Sequence, residues 1–330
     1  MDFKTDDSHD ARIAAEIEHF RGQTDIHALP DMFHYWSNRF LGPHIADVFG
    51  ASDMHAVIAS ELARSVADSG CGDIVSIGAG DGVVEIGVAE RLLSAGATNF
   101  RFDCLELSPH LIERGRNAAQ AKGVERYVTF QQVDLSSWRP ERCYGAAFAH
   151  HSLHHIVSLE HVFDELKQAL LPDSAFVIAD MIGRNGHMRW PESLAPLQRL
   201  WSVIPPRYKY HHLFARQMET YLDWDCSSEG FEGIRAQDIM PTLIDRFEFR
   251  KMCVWGGMLD VFIDRAFGHN LDSNSAEDRA FVDRLWEADC ALLKLGAATP
   301  TQMMAVLSAE PRPLQSSWGL LPAACIRRPD

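Results

Sequence analysis

The chain has 330 residues, 46% hydrophobic and 23% charged, an ordinary globular composition with enough apolar material for a full core. Acidic residues number 46 against 31 basic ones, a formal net charge of −15. Such a surface repels nucleic acid and anionic lipid, so neither is expected as a partner. A local basic pocket for a small acidic substrate fits the same balance.

Met1 to Asp10 is polar and acidic, unlike a signal peptide, and no apolar run reaches membrane-spanning length. The expectation is a cytoplasmic protein without membrane association. Cys71, Cys104, Cys143, Cys226, Cys253, Cys290 and Cys325 are scattered, odd in number and contain no CxxC pair. They read as reduced thiols rather than a disulfide frame or zinc ribbon.

In chain order, residues 11–68 read as helical, a cap or lid of residues 1–68 with segments near 11–20 and 53–67. Between these lies an aromatic stretch, Met32 to Phe40. From Asp73 the pattern alternates. Ile74 to Ile77 is a strand, followed by a glycine turn and a helix to about Ser94. Phe100–Leu105 is a second strand and 109–122 a second helix. Val128–Val133 and Tyr144–Ala149 are the third and fourth strands, 158–170 a helix and Ala175–Ala179 the fifth strand. Phe247–Val254 and Gln302–Leu307 complete seven. Strands alternating with helices at these spacings predict an α/β, doubly wound, mostly parallel sheet whose strand C-termini share one ligand-binding edge. The sheet domain spans 69–310, with helical insertions at about 183–242 and 258–297. Residues 311–330 read as an irregular tail.

Gly78-Ala79-Gly80-Asp81-Gly82 follows the first strand and opens a helix. Glycines there permit positive φ and close backbone approach to a ligand, and the helix N-terminus favours negative charge. The dinucleotide fingerprint wants glycine or alanine at the sixth position, where this chain has Val83, which disfavours a nicotinamide-dependent oxidoreductase. Glu106 ends the second strand, 28 positions after Gly78, where a carboxylate can accept bonds from both hydroxyls of a ribose. Asp134 ends the third strand and can accept from an adenine amino group, with Leu107, Leu135 and Trp138 walling the ring. Each acid alone is as well explained as a solvated strand end or a helix cap. Together with the glycines they bracket one crevice.

With these residues the chain resembles the class I, Rossmann-like S-adenosylmethionine-dependent methyltransferases. The resemblance rests on Val75–Gly82, Cys104–Ser108, Gln132–Leu135, Ser152–Ile156 and Glu165–Asp173, within about residues 70–182. It implies S-adenosylmethionine as cofactor, held by Gly78, Gly80, Gly82, Glu106, Leu107, Asp134, Leu135 and His150. Two departures stand out. The family usually carries an acid two residues before the first glycine, where this chain has Ser76, and a Pro-Gly-Gly turn where it has Pro172-Asp173-Ser174. Asp81 or Arg39 could serve the methionine end instead.

The chemistry implied is in-line attack on the sulfonium methyl, with a base for an oxygen nucleophile. His150-His151-Ser152-Leu153-His154-His155 follows the fourth strand, and His151 and His155 are the first candidates for that base; packing or capping is the competing role. No Cys or carboxylate lies nearby at ligand spacing, so no metal is expected. After Asp180, Arg184, His187, Arg189 and Trp190 read as a substrate wall, the arginines suited to a carboxylate or phosphate; a structural bridge to Glu192 is the alternative. Trp224–Arg235 is dense in functional residue types and can close over a substrate or simply pin itself. Tyr35 or Trp36 could face the sulfonium, or pack onto the sheet. The expected function is methyl transfer to a small-molecule or sugar-bearing metabolite, at oxygen, with a homodimer left open. N- or C-methylation, an NAD(P)-binding oxidoreductase and a non-catalytic cofactor-binding module are the alternatives.

Overall fold

Strand β1 (Asp73–Ile77) lies inside the sheet, between the strands Tyr144–His150 and Arg101–Glu106, and is buried from Ile74 onward. The computed structural model describes residues 12–14, 16–18 and 29–327. Around β1 are β2 (Arg101–Glu106), β3 (Val128–Gln132), β4 (Tyr144–His150), β5 (Leu170–Met181), β6 (Glu248–Trp255), β7 (Gln302–Ser308) and a two-residue β8 (Gln315–Ser316). Their order is β8-β6-β7-β5-β4-β1-β2-β3. β7 runs antiparallel between β5 and β6, and the other pairings are parallel. The α/β, mostly parallel sheet expected from the alternation is present. The tail departs from the irregular reading, because Gln315 and Ser316 pair with Lys251 and Met252 and add an eighth strand.

Side chains alternate across the sheet because successive strand residues point to opposite faces. Ile74, Phe148 and Val177 join one core, and Val75, Ala147 and Phe176 join the other. The first core is covered by α1 (Asp31–Trp36), α2 (Gly42–Phe49), α3 (Met54–Ser69), α4 (Val83–Ser94) and α5 (Pro109–Lys122). The second takes α6 (Leu159–Ala169) and α8 (Ala236–Ile244), while α7 (Pro191–Val203) lends Leu197 and Trp201 to the first. The helix ends follow local chemistry. Asp53 accepts from Ala56 N at the start of α3, Ser108 from Leu111 N at α5, and Gly70 and Gly123 close those helices with φ of 70° and 69°. Buried Ser65 clamps α3 to the sheet by donating to Gly145 O and accepting from Ala175 N, both at 2.6 Å.

The aromatic stretch Met32–Phe40 is helical, passing from α1 through a π-helical segment, Ser37–Leu41, into α2. It packs on α9 (Ala276–Lys294): Trp36 is 1% exposed with Trp286 at 5.8 Å, and Tyr35 donates to Asp283. Of the helix expected near 11–20, residues 12–14 and 16–18 are helical and the rest lies outside the described residues. Among the described residues no helix is long and apolar enough to cross a membrane.

Candidate active site

The C-terminal ends of β1, β2, β4 and β5 meet at one edge. Gly78, Gly80 and Gly82 all adopt positive φ, 65°, 59° and 69°, which only glycine tolerates at low cost. Their surroundings differ. A Cβ on Gly78 would lie 2.7 Å from Ser152 Cβ, and one on Gly82 2.4 Å from Phe130 Cζ, whereas one on Gly80 would meet nothing within 4 Å. Gly80 therefore borders open space, and the outer two glycines make room for protein.

Glu106 stands across from Gly80. Its Oε2 accepts from Gly80 N at 2.9 Å and its Oε1 from Ser108 N at 2.8 Å. Burial pushes its carboxyl up against these stabilising bonds. Leu107 follows, half-buried. Asp134 Oδ1 accepts from Ser136 N at 2.8 Å, capping the turn after β3, while Leu135 packs on the second core and Trp138 lies within it. These positions bring the glycines and Glu106 into direct contact, with Asp134 one strand further out.

At the end of β1, Ser76 donates to Glu85 Oε1 at 2.5 Å. Glu85 lies in the first turn of α4 and is 2% exposed. Burial raises its carboxyl to about 7, with Asp81 and Glu106 adding to the effect and Ser76 opposing it. A carboxyl thus reaches the end of β1 from the helix rather than from the strand, a residue the sequence reading missed. Asp81 pairs with Arg114 at 2.8 Å. Arg39, on the π-helical segment, lies 3.4 Å from Asp283 and beside the Phe40 ring.

The segment after β4 crosses the first glycine. Ser152 Oγ donates to Ile77 O at 2.6 Å. Asp180, 1% exposed at the end of β5, accepts from Ser152 N, Leu153 N and Met181 N and bonds His154 Nδ1 at 2.6 Å. Burial alone would raise Asp180, yet the His154 imidazole and these donors hold it well below the usual carboxylate range. Burial lowers His154, but Asp180 and Glu232 carry it up to about 10. His150 ends β4 and is half-buried, its ring 4.7 Å from that of His151. His151 takes a left-handed φ of 48°. Its side chain is solvent-accessible yet closely surrounded by protein, as expected for a group facing a cleft, and desolvation lowers it to about 4. Both nitrogens of His155 face carboxylates, Nδ1 at 2.9 Å from Glu16 Oε1 and Nε2 at 3.4 Å from Glu232 Oε2.

The residues after β5 divide. His187 joins the histidines, its Nε2 hydrogen-bonded to Glu232 Oε1 and its ring 5.3 Å from that of His154. Trp190 is 4% exposed, with the guanidiniums of Arg184 and Arg327 near its ring at 5.7 and 5.6 Å. Arg184 also donates to Arg189 O. Arg189 donates to His187 O at 3.3 Å, and its buried Nε has no hydrogen-bond partner among the described residues. Arg327, rather than either of these arginines, lies 3.5 Å from Glu192.

Glu232, Asp180 and Glu16 were not singled out by sequence reasoning. The nearest signal was the density of polar residues in Trp224–Arg235. That segment is bolted down: Gly186 N donates to Gly233 O at 2.9 Å, Asn185 and Gln237 exchange bonds at 3.1 Å, and Arg235 bonds Glu160 at 2.5 and 2.7 Å.

Residues 74–173 match the family model of a methyltransferase domain, which runs from β1 through the glycine turn, Glu106 and the histidine segment to the start of β5. Over these residues the chain carries a methyltransferase domain. No curated protein matches the sequence. Among solved structures, the domain and its surroundings are similar to an O-methyltransferase from a trans-AT polyketide synthase multienzyme of Brevibacillus brevis in complex with S-adenosyl-L-homocysteine. That pair is 11% identical over 78% of this chain and 80% of the other, at a TM-score of 0.43. The chain is also similar to the [4+2]-cyclase SpnF, 14% identical over 93% and 96% of the two chains at 0.44. A geranyl diphosphate methyltransferase in complex with GPP and sinefungin is 12% identical over 77% of each at 0.45.

Proposed function

We propose that the chain transfers the methyl group of S-adenosylmethionine to an oxygen of a small-molecule metabolite, with His151 as the base. The observation that carries this reading is the seating of Ser152 on Gly78. It fixes His150–His155 across the start of the glycine turn, where the resemblance puts the methionine end of the cofactor. Gly80 and Glu106 would hold the ribose and carboxylate side, and Asp134 the adenine. His151 reaches the cleft with its imidazole neutral, and burial that lowers it to about 4 also makes it a weaker base than an ordinary histidine. The acceptor O–H loses its proton to His151 as the O–CH3 bond forms. Bound S-adenosylmethionine would supply the methyl group, its sulfur keeping the electron pair of the S–CH3 bond and leaving as S-adenosylhomocysteine. The chain contributes mainly position and water exclusion, with Arg184, Arg189 and Trp190 as the wall on the acceptor side. His155, engaged at both nitrogens, is a positioning residue in this scheme.

The test has two arms. S-adenosylmethionine or S-adenosylhomocysteine should raise the melting temperature of the chain, and NAD(H) should not; stabilisation by NADH alone sinks the reading. With labelled S-adenosylmethionine and a pool of hydroxylated metabolites, His151→Ala should lower label transfer by roughly 10²–10⁴-fold, with S-adenosylhomocysteine affinity near wild type. Full transfer by the variant rules out His151 as the base.

A further inference from the structure

The histidine cluster has a feature that methyl transfer does not require. Three imidazoles from two separate loops turn their Nε2 atoms toward one carboxylate. His154 Nε2 lies 3.4 Å from Glu232 Oε1, His155 Nε2 lies 3.4 Å from Oε2, and His187 Nε2 is hydrogen-bonded to Oε1. The donor atoms of His154, His155 and Glu232 all fall within 4.8 Å of one another. A separation of 3.4 Å is long for a charge-assisted hydrogen bond. It is close to the edge of a tetrahedron built on metal–ligand bonds of about 2.0–2.1 Å, which is about 3.3 Å.

The far sides of the rings point the same way. His154 Nδ1 bonds Asp180 at 2.6 Å and His155 Nδ1 bonds Glu16 at 2.9 Å. A carboxylate on Nδ1 leaves Nε2 as the nitrogen directed inward, the outer-shell arrangement that metal-bound histidines use, and an ion there would displace the Nε2 proton that His154 carries in the metal-free cluster. Both carboxylates are themselves held. Asp180 takes three backbone N–H groups, and Glu16 Oε2 accepts from Phe231 N at 3.4 Å. The loop bearing His187 is shaped for its place. Gly186 and His187 have φ of 66° and 55°, and a Cβ on Gly186 would lie 1.9 Å from Asp225 Oδ1. Left-handed backbone at a non-glycine residue persists only where the surroundings enforce it.

We propose that His154, His155 and Glu232 form a binding site for one divalent transition-metal ion, with His187 holding the Glu232 carboxylate by a hydrogen bond from outside the ligand set. Two imidazole nitrogens and one carboxylate oxygen, with a further position left for water, suit zinc or iron(II), and not magnesium or calcium, which prefer all-oxygen shells. The ion ties the segment after β4 to the loop before α8, and the His187 bond to Glu232 adds the loop after β5 to the same wall beside His151. The site goes beyond the methyl-transfer reading and does not depend on it. The sequence-based expectation of no metal came from the spacing around His151 and His155. The carboxylate instead arrives from Glu232, far along the chain.

The full chain, purified without chelator, should carry about one equivalent of zinc or iron by elemental analysis. After chelator treatment, titration with Co²⁺ should develop the visible ligand-field bands of a low-coordinate nitrogen–oxygen site and saturate at one equivalent. Glu232→Ala and His155→Ala should abolish saturable Co²⁺ absorption. Asp180→Asn, which leaves all three ligands in place, should weaken Co²⁺ binding about 10–100-fold. S-adenosylhomocysteine binding, measured on the same samples, reports folding and the cofactor site separately. Wild-type chain that binds S-adenosylhomocysteine but develops no Co²⁺ bands overturns the proposal, as does equal Co²⁺ affinity in wild type and Glu232→Ala. The cluster is then a hydrogen-bonded network only.

Discussion

Glu85 shows how one residue can change the pH response of the domain. It is buried at the end of β1, hydrogen-bonded to Ser76, and faced by Asp81, Glu106 and Cys104. The carboxyl ordinarily titrates at 4.5 and in the fold at about 7. Below 4.5 it is protonated in both folded and unfolded chains, so it has no differential effect. Between those values the folded chain keeps a proton that the unfolded chain has released, so stability falls as pH rises, and the penalty is complete above about 7. A shift of this size corresponds to about 3 kcal/mol. Glu85→Gln keeps the shape and a partner for Ser76 but cannot ionise. Urea unfolding should therefore find wild type and variant similar near pH 5, with the variant ahead by about 3 kcal/mol near pH 8. A stability difference that is the same at both pH values would show that Glu85 is ionised throughout.

At the scale of elements, the glycine turn is both a packing device and a ligand surface, and two of its glycines separate these roles. Phe130 of β3 lies against Gly82, and a Cβ on Gly115 of α5 would also meet it at 2.4 Å. The β1–α4 turn can sit on β3 only because neither position has a side chain. Gly82→Ala combines left-handed strain with overpacking and should cost about 2–4 kcal/mol. Gly80→Ala bears only the strain, about 1–2 kcal/mol, but puts a methyl group into the space beside Glu106 and should weaken S-adenosylhomocysteine binding at least about tenfold. Denaturant unfolding and calorimetric titration read the two effects; equal destabilisation by both variants would refute the Phe130 account. Most of this layer was legible in the sequence, because strand periodicity and turn glycines are local signals. Ile74–Ile77, Tyr144–Ala149 and Gln302–Leu307 fall on β1, β4 and β7 almost residue for residue. Two-residue β8 was not legible, since Gln315 and Ser316 are too short to show a period. The histidine run was visible as a run, but its partners were not. Glu16, Asp180 and Glu232 reach it only through the fold, and each reads in the sequence as an ordinary acid on a helix, strand end or loop.

For the whole molecule, the tail is tied back to the sheet, and it carries more than its irregular sequence suggests. Ser317 Oγ accepts from Val254 N of β6 at 3.2 Å and lies 3.1 Å from His44 Nε2 of α2. Trp318 stacks on His44 at 4.6 Å, with Lys294 of α9 over its ring. Gln315 donates to Asp47 O, Arg312 pairs with Asp173, and Cys325 is 2% exposed in the second core. Asp173 takes φ 63° where the family's turn has glycine, so the tail braces the departure from the family's pattern. Removing residues 311–330 would strip Val254 N of this partner, uncover the His44 ring and open the second core near α8. An unsatisfied buried donor alone costs about 1–3 kcal/mol, and the lost burial adds at roughly 25 cal/mol per Å². A chain ending at Glu310 should therefore be less stable in urea by at least about 3 kcal/mol, and Ser317→Ala by about 1–2 kcal/mol. The loss should be independent of the cofactor, because none of these contacts borders Gly80 or Glu106. Truncation that leaves stability within about 0.5 kcal/mol of the full chain would mean that the tail only decorates a sheet already complete at β7.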